Sequence, residues 1–394
     1  MSEQKECHPA LAILEDLVRI QSVNPHYGSD ACGEGKVAEY IERRFQGTKV
    51  KVSRQPVFPG RDNLVLELRT GHGDATLLFE THMDTVSIGS MENALTPIYR
   101  DGRMYARGAC DAKGSLAGMI WALEECAKHP EQLHADVVLC AAVDEEHEYR
   151  GLRAFMAAGM PIAGAVVGEP TELSIVVAHK GCARFAVMTH GKAAHSSMPE
   201  EGDSAIFQMV QVLQFMRDVV EPELRTRSHP LCGSPTIVAG TIHGGTQINI
   251  VPEQCEIEVD RRIIPGELPE TAIAEFERQL REYIEREGLQ VQVSVRELLL
   301  DWALETPKDA EVVSFARHAA RTLGLSDELV GVTYGSDASK LQRQGIPTIV
   351  YGPGSIAQAH SKEEWVSANE VGLAAQFYYH LARSFGSPED GGAS

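Results

Sequence analysis

Five short segments carry side chains that could do chemistry together, and each one closes or follows an apolar run. Thr81-His82-Met83-Asp84 follows residues 76–80 (TLLFE). Two residues apart, His82 and Asp84 share one side of an extended chain. A ligand histidine commonly gives its second ring N–H to a carboxylate, and Asp84 is placed for that; a hydrogen-bonded turn would use the same pair. Arg107-Gly-Ala-Cys-Asp111-Ala-Lys-Gly114 has glycines on both sides of Asp111, as a loop of close backbone approach needs. Asp111 also stands where it could merely cap a helix. Asp144-Glu145-Glu146 ends the buried-looking run 136–143 (DVVLCAAV). Three adjacent acids repel one another unless a cation is present or the turn is solvated. Gly168-Glu169-Pro170-Thr171 closes another apolar run, and Gly352-Pro-Gly354-Ser-Ile-Ala-Gln-Ala-His360 follows residues 347–351.

Together these segments offer His, Asp, Glu, Glu and His. Nitrogen and oxygen donors without thiolate suit zinc, cobalt or manganese. A shared carboxylate can bridge two ions, which leaves one spare Glu to act as general base on a water they hold. The cysteines offer no rival site. All eight are scattered, with no C-x-x-C pair, as reduced and mostly buried thiols would be. Cys110, beside Asp111, reads as packing. His8, His26, His72, His129, His134, His229, His318 and His380 fall outside any motif, and His147 and Glu148 carry no assignment. His179 and His243 are the two further histidines that could line a cleft.

These segments need a scaffold that brings strand ends together. Helical periodicity runs over 8–20, 35–46, 113–128 and 151–158, and strand-like runs over 62–69, 76–80, 136–143, 164–167 and 347–351. Strands alternating with helices predict an α/β layer fold with a largely parallel sheet, whose sites form at the carboxyl ends of its strands. The middle of the chain differs. Strands at 181–190, 236–244, 254–263 and 290–296, with helices at 202–219 and 268–287, give the order βαββαβ. That predicts a ferredoxin-like domain at 178–297 inserted in a catalytic domain formed by 1–177 and 298–394. The final SPEDGGAS reads as an unstructured tail.

Composition narrows the function. The chain has 394 residues, with 36 Lys+Arg against 56 Asp+Glu and a formal charge of −20. So acidic a surface does not suit nucleic acid or an anionic membrane. No apolar run reaches the roughly 18–20 residues of a membrane span. The start, MSEQKECHPALAILEDL, lacks a basic flank before an apolar run, so the expectation is a cytoplasmic protein.

From residue 8 to about 385, the five ordered motifs and the inserted βαββαβ pattern resemble the M20 family of metallopeptidases and deacylases. Its members include acetylornithine deacetylase, succinyl-diaminopimelate desuccinylase and glutamate carboxypeptidases. The resemblance implies two divalent ions per chain, usually zinc, bridged by Asp111. His82 and Glu169 would hold one ion, and Glu146 and His360 the other. Glu145 would be the general base and Asp84 would orient His82. The bond Asp111–Ala112 would be cis. The resemblance further implies a homodimer through the inserted domain, which acts as lid and dimerisation domain. His195 would cross to the partner's site to stabilise an oxyanion. Asn249 and Arg262 would contact substrate, with Arg262, or its neighbour Arg261, holding a carboxylate. The loops with Gly335, Ser336 and Gly354 would line the substrate side.

Within the resemblance, Glu169 suggests a deacylase or carboxypeptidase acting on an acylated amino acid, and the segment 352–365 looks most like acetylornithine deacetylase. The implied reaction is amide hydrolysis of a small N-acyl-L-amino acid, N-acetylornithine first, in amino-acid biosynthesis. Desuccinylation and glutamate-type carboxypeptidase action keep the metals and change the substrate. A catalytically silent dimeric binding protein on the same scaffold is the reading from another class. Phosphoester hydrolysis would need further cations beside the metals, and the sequence shows none.

Overall fold

In the computed structural model, residues 8–28, 31–71 and 75–388 are described. The expected tail lies outside them from residue 389 onward. The chain divides into two compact units. The first takes residues 1–177, 306–330 and 336–394, and the second takes 178–305 and 331–335.

The first unit is built around one sheet. Its strands run in the order Lys51–Phe58, Arg61–Leu68, Asp136–Ala142, Thr76–His82, Gly164–Val167, Thr348–Val350 and Ile175–His179. The four from Asp136–Ala142 to Thr348–Val350 are mutually parallel. The outer pairings are antiparallel. The largely parallel sheet expected from the sequence is therefore parallel in its centre and antiparallel at its flanks. Every residue of Thr76–His82 and Asp136–Ala142 is buried, so both faces of these strands are covered, as their unbroken apolar runs require. The helix Lys113–Lys128 packs on both strands and on the helices Pro9–Arg19 and Ala368–Ser384. Pro9–Arg19 begins at His8, whose ring accepts the Ala10 amide, and buries Leu11, Leu14, Leu17 and Val18 along one face. A small sheet joins Trp365–Ser367 to Arg103–Tyr105, which pairs in turn with Ile98–Arg100.

Because the four central strands are parallel, their carboxyl ends lie along one edge. That edge presents, in spatial order, the loops bearing Glu146, His82, Glu169 and His360. Asp111 comes from the turn entering Lys113–Lys128, and the bond Asp111–Ala112 is cis.

The second unit is a four-stranded antiparallel sheet in the order Thr236–Gly244, Gln254–Ile263, Gly181–His190, Val293–Asp301. This is the ferredoxin-like order that the βαββαβ pattern predicts. Its helices Ala205–Phe215 and Pro269–Arg286 pack on it through Phe185, Phe215 and Phe276. Phe276 sits 4.9 Å from Phe185 and 5.6 Å from Phe215, ring centre to ring centre. Two expectations shift. The last strand starts at Val293 rather than 290 and continues to Asp301, which still pairs with Cys182. That pairing keeps the chain in this unit until 305, beyond the expected 297. The helix expected at 202–219 ends at Phe215 and continues as a wider π turn over Met216–Val220.

Candidate metal centre

The loops at the carboxyl edge converge on Asp111. Its Oδ1 lies 3.2 Å from His82 Nε2 and its Oδ2 3.1 Å from His360 Nε2. One carboxylate thus faces two histidines with different oxygens, the arrangement of a bridging ligand. Glu146 Oε2 is 3.1 Å from His360 Nε2, and Glu169 Oε1 is 3.9 Å from His82 Nε2. Two groups of side chains bring their donor atoms within 4.8 Å of one another: His82 with Asp111 and Glu146, and His82 with Glu145 and Glu169. The five residues expected as metal ligands, the expected base Glu145 and Asp84, expected to orient His82, all lie in the first unit.

The second ring of contacts is dense. His82 Nδ1 lies 2.9 Å from the Asp84 carbonyl and 3.6 Å from its Oδ1. The Asp84 carboxylate also accepts the backbone N–H of Glu145 and of Glu146, each at 3.2 Å, and Asn24 Nδ2 at 2.8 Å. Asn24 donates as well to Asp144, which also receives Arg61. Arg61 forms a two-pronged pair with the buried Glu34, at 2.6 and 2.7 Å. Asp144 adopts a left-handed backbone, φ +69°, which turns the chain out of its strand so that Glu145 and Glu146 project at its end. His360 is left-handed too, φ +58°. Gly352 has a packing reason: a Cβ there would sit 2.3 Å from Ser115 Oγ and 2.5 Å from the Glu169 carbonyl. At Gly354 a Cβ would sit 2.6 Å from Cys110 Sγ.

The charges of the cluster act strongly on one another. Burial pushes Glu145 well above the usual carboxylate range; His82 opposes this, while Asp337, Glu146 and Asp111 add to it. Burial and the charges of Asp111 and Glu145 do the same to Glu169. Burial disfavours a charged His82, yet Asp111 and Asp84 outweigh it and hold the ring well above its ordinary value. Hydrogen bonds to Asp111 and Glu146 lift His360 to about 10. Cations held among these histidines would satisfy the acids. Buried Glu146 Oε1 also has no hydrogen-bond partner among the described residues. The donor set therefore fits divalent ions: carboxylates and imidazoles, with no thiolate.

The second unit holds the remaining assigned residues. His195 and Asn249 are exposed, on adjoining segments: His195 bridges Ile250, and Ser196 N–H donates to the Asn249 carbonyl at 3.0 Å. His195 Nδ1 lies 2.8 Å from Ser197 Oγ. Arg261 is buried, 4% exposed, and bonds Glu267 at 3.1 Å. Arg262 points to the other face of its strand, and its side chain, 31% exposed, is paired with Asp260. Gly335 lies close to Asp301: a Cβ there would sit 2.9 Å from its Oδ2. Ser336, which begins the return to the first unit, is fully buried, and its Oγ accepts the Ala338 amide, so in this conformation the hydroxyl serves the chain. His179 is fully buried rather than lining a cleft, and His243 is exposed. Cys110 is buried, and burial pushes its thiol well up, so it is packing.

Sequence reasoning missed Asn24, Glu34, Arg61, Glu80 and Glu364. Glu80 lies inside an apolar strand, and neither of its oxygens has a hydrogen-bond partner among the described residues. A charged residue inside a wholly apolar run was the available signal there. Asn24 and Glu34 carried none, because the acids that Asn24 donates to lie 60 or more residues away and the Arg61 that Glu34 accepts from lies 27 away.

The sequence pattern of peptidase family M20/M25/M40 matches residues 78–384. An acetylornithine deacetylase of Myxococcus xanthus is 32% identical over 342 residues, covering 84% of this chain and 87% of that protein. A probable carboxypeptidase of Aspergillus oryzae is 30% identical over 95% of this chain and 89% of its own length. A probable succinyl-diaminopimelate desuccinylase of Staphylococcus aureus is 26% identical over 90% and 92%. In fold, the chain is similar to an aminopeptidase from Bacillus cereus, with a TM-score of 0.79, 23% identity, and 96% and 98% of the two chains covered. No helix among the described residues is long and apolar enough to cross a membrane.

Proposed function

The chain belongs to peptidase family M20/M25/M40 and is a hydrolase of amide bonds; from that premise we propose that it deacylates N-acyl-L-amino acids, N-acetylornithine first, at a pair of divalent metal ions. The observation that carries this reading is Asp111, whose two oxygens face His82 and His360 separately. His82 and Glu169 would hold one ion, and Glu146 and His360 the other. Zinc suits the donors best, with cobalt or manganese as substitutes. Bound there, such ions supply Lewis acidity, polarising the scissile carbonyl and acidifying a water.

The chain's own residues do the rest. Glu145 takes the proton of the attacking water and returns it to the leaving nitrogen. Its burial, which raises the carboxyl above the usual range, supports a role in proton transfer. Asp84 orients His82 and fixes the peptides of Glu145 and Glu146. Arg262 anchors the substrate carboxylate through its planar fork. The engagement of Arg261 with Glu267 supports that choice over its neighbour. Asn249, Gly335 and Gly354 belong to the substrate side.

His195 completes the site of a partner subunit by donating to the oxyanion, in a homodimer formed through the second unit. That unit supports such an interface. Thr236–Gly244 is an edge strand in its sheet, and exposes Val238 and Ile242, while Phe207 is 74% exposed nearby in the same unit.

A carboxypeptidase acting on a C-terminal residue is the second reading, favoured by the likeness to the fungal relative. The test is hydrolysis of N-acetylornithine, N-succinyl-diaminopimelate, N-acetylmethionine and a dipeptide ending in glutamate, with and without Zn²⁺ or Co²⁺, against Glu145→Ala. Metal-dependent turnover of an acetylated amino acid, lost in the variant, supports deacylation. Turnover of the dipeptide alone moves the function to the second reading.

A further inference from the structure

Glu364 is buried, 1% exposed, four positions after His360. Its two oxygens collect four N–H donors from a single turn. Oε2 accepts Arg107 Nη1 at 2.6 Å and the Gly108 amide at 3.0 Å. Oε1 accepts the amide of Cys110 at 2.9 Å and of Asp111 itself at 3.1 Å. Arg107 is tied down in turn by donating Nε to the Ser87 carbonyl. The neighbouring strands set the register: Trp365 pairs with Tyr105 and Val366 with Met104, so Glu364 arrives beside the start of the turn. Gly108 keeps the turn close to its surroundings, because a Cβ there would sit 2.8 Å from Thr85 Cγ2.

We infer that Glu364 is a positioning residue for the metal centre: it holds the backbone of residues 107–111 so that Asp111 faces His82 and His360 at once. The inference rests on the proposed metal site. The physical reason is the converging donors. A carboxylate accepts at both oxygens and carries the charge that strengthens each bond, whereas an amide offers one oxygen and two donors of its own. In Glu364→Gln, part of the turn therefore loses its acceptor or meets an N–H head on. Because the same chain segment carries His360, the clamp also couples two ligands that lie 249 residues apart in sequence (360 − 111).

The test is a Co²⁺ titration of chelator-stripped wild type, Glu364→Gln and Glu364→Asp, read by calorimetry and by visible absorption, with circular dichroism of the metal-free proteins. The Asp variant keeps the charge but is too short to reach both sides of the turn, and it carries the test if the Gln variant does not fold. The expected result is a folded variant whose affinity for at least one ion falls about 10- to 100-fold, with a changed absorption band. A merely structural role would lower thermal stability and leave the affinity and band of the folded protein unchanged, and that result overturns the inference. Wild type that takes up no cobalt overturns the metal reading, and this inference with it.

Discussion

The Asp84 carboxylate accepts the backbone N–H of Glu145 at 3.2 Å, so the residue beside His82 also fixes the peptide bearing the proposed general base. Its other oxygen does the same for Glu146. Asp84→Asn removes the charge and leaves only one oxygen to accept from Glu145, Glu146 and Asn24. We expect the affinity for metal or the activity to fall about 10- to 100-fold, as changes behind metal ligands commonly do. Metal titration and kinetics on the same preparation check this; wild-type values for both would show that Asp84 does not organise the site.

Glu145→Gln keeps size and removes the proposed base. Turnover should fall about 10²- to 10⁴-fold with KM little changed, while the protein still binds metal. Glu145 also lies in one of the two donor groups, with His82 and Glu169. An ion count that falls by one in this variant would make Glu145 a ligand and Glu146 the candidate base.

Asp136 should set part of the acid limb of stability. Its Oδ1 accepts the Thr70 amide at 2.7 Å and its Oδ2 accepts Arg69 at 2.9 Å. Burial opposes the charge, but these bonds outweigh it and hold the carboxyl below its ordinary value. A carboxyl lowered on folding stabilises above its unfolded pKa, about 3.9, and loses that contribution as pH falls through the folded value. Asp136→Asn should therefore cost about 1–3 kcal/mol near pH 7. The gap in melting temperature from wild type should close as pH falls below about 4. A gap constant from pH 7 to 3 would contradict the assignment.

Glutamates in place of Val238 and Ile242 should dissociate the proposed dimer. Both side chains are more than half exposed within the second unit, so the unit itself should remain folded. Light scattering should give twice the chain mass for wild type and one chain mass for the double variant, with activity lost through the missing His195 of the partner. A monomeric, active wild type would contradict the dimer.

How much was legible in the sequence follows from the range of each interaction. Residues 181–190, 236–244 and 254–263 form strands as expected, because alternating and apolar runs are local signals. The loops bearing His82, Glu146 and Glu169 were legible because each directly follows an apolar strand. Other features depend on partners far away. Lys51–Phe58 is an edge strand of mixed burial, and its pairing with Arg61–Leu68 buries little that a pattern could reveal. Glu364 carries no sequence signal of its own, and only the register of Trp365 with Tyr105 brings it to the Asp111 turn. Ser336 looked like part of a ligand loop, but its burial is set by the start of the helix Ala338–Arg343.

The central claim is a hydrolase that depends on ions held around Asp111. The most direct measurement is the rate of N-acetylornithine hydrolysis by chelator-stripped protein as Zn²⁺ or Co²⁺ is added, with bound metal counted at each point. The account predicts no turnover in the stripped protein, and activity that rises with uptake and saturates at two ions per chain. Turnover undiminished by stripping, or saturation with no ion bound, would contradict it.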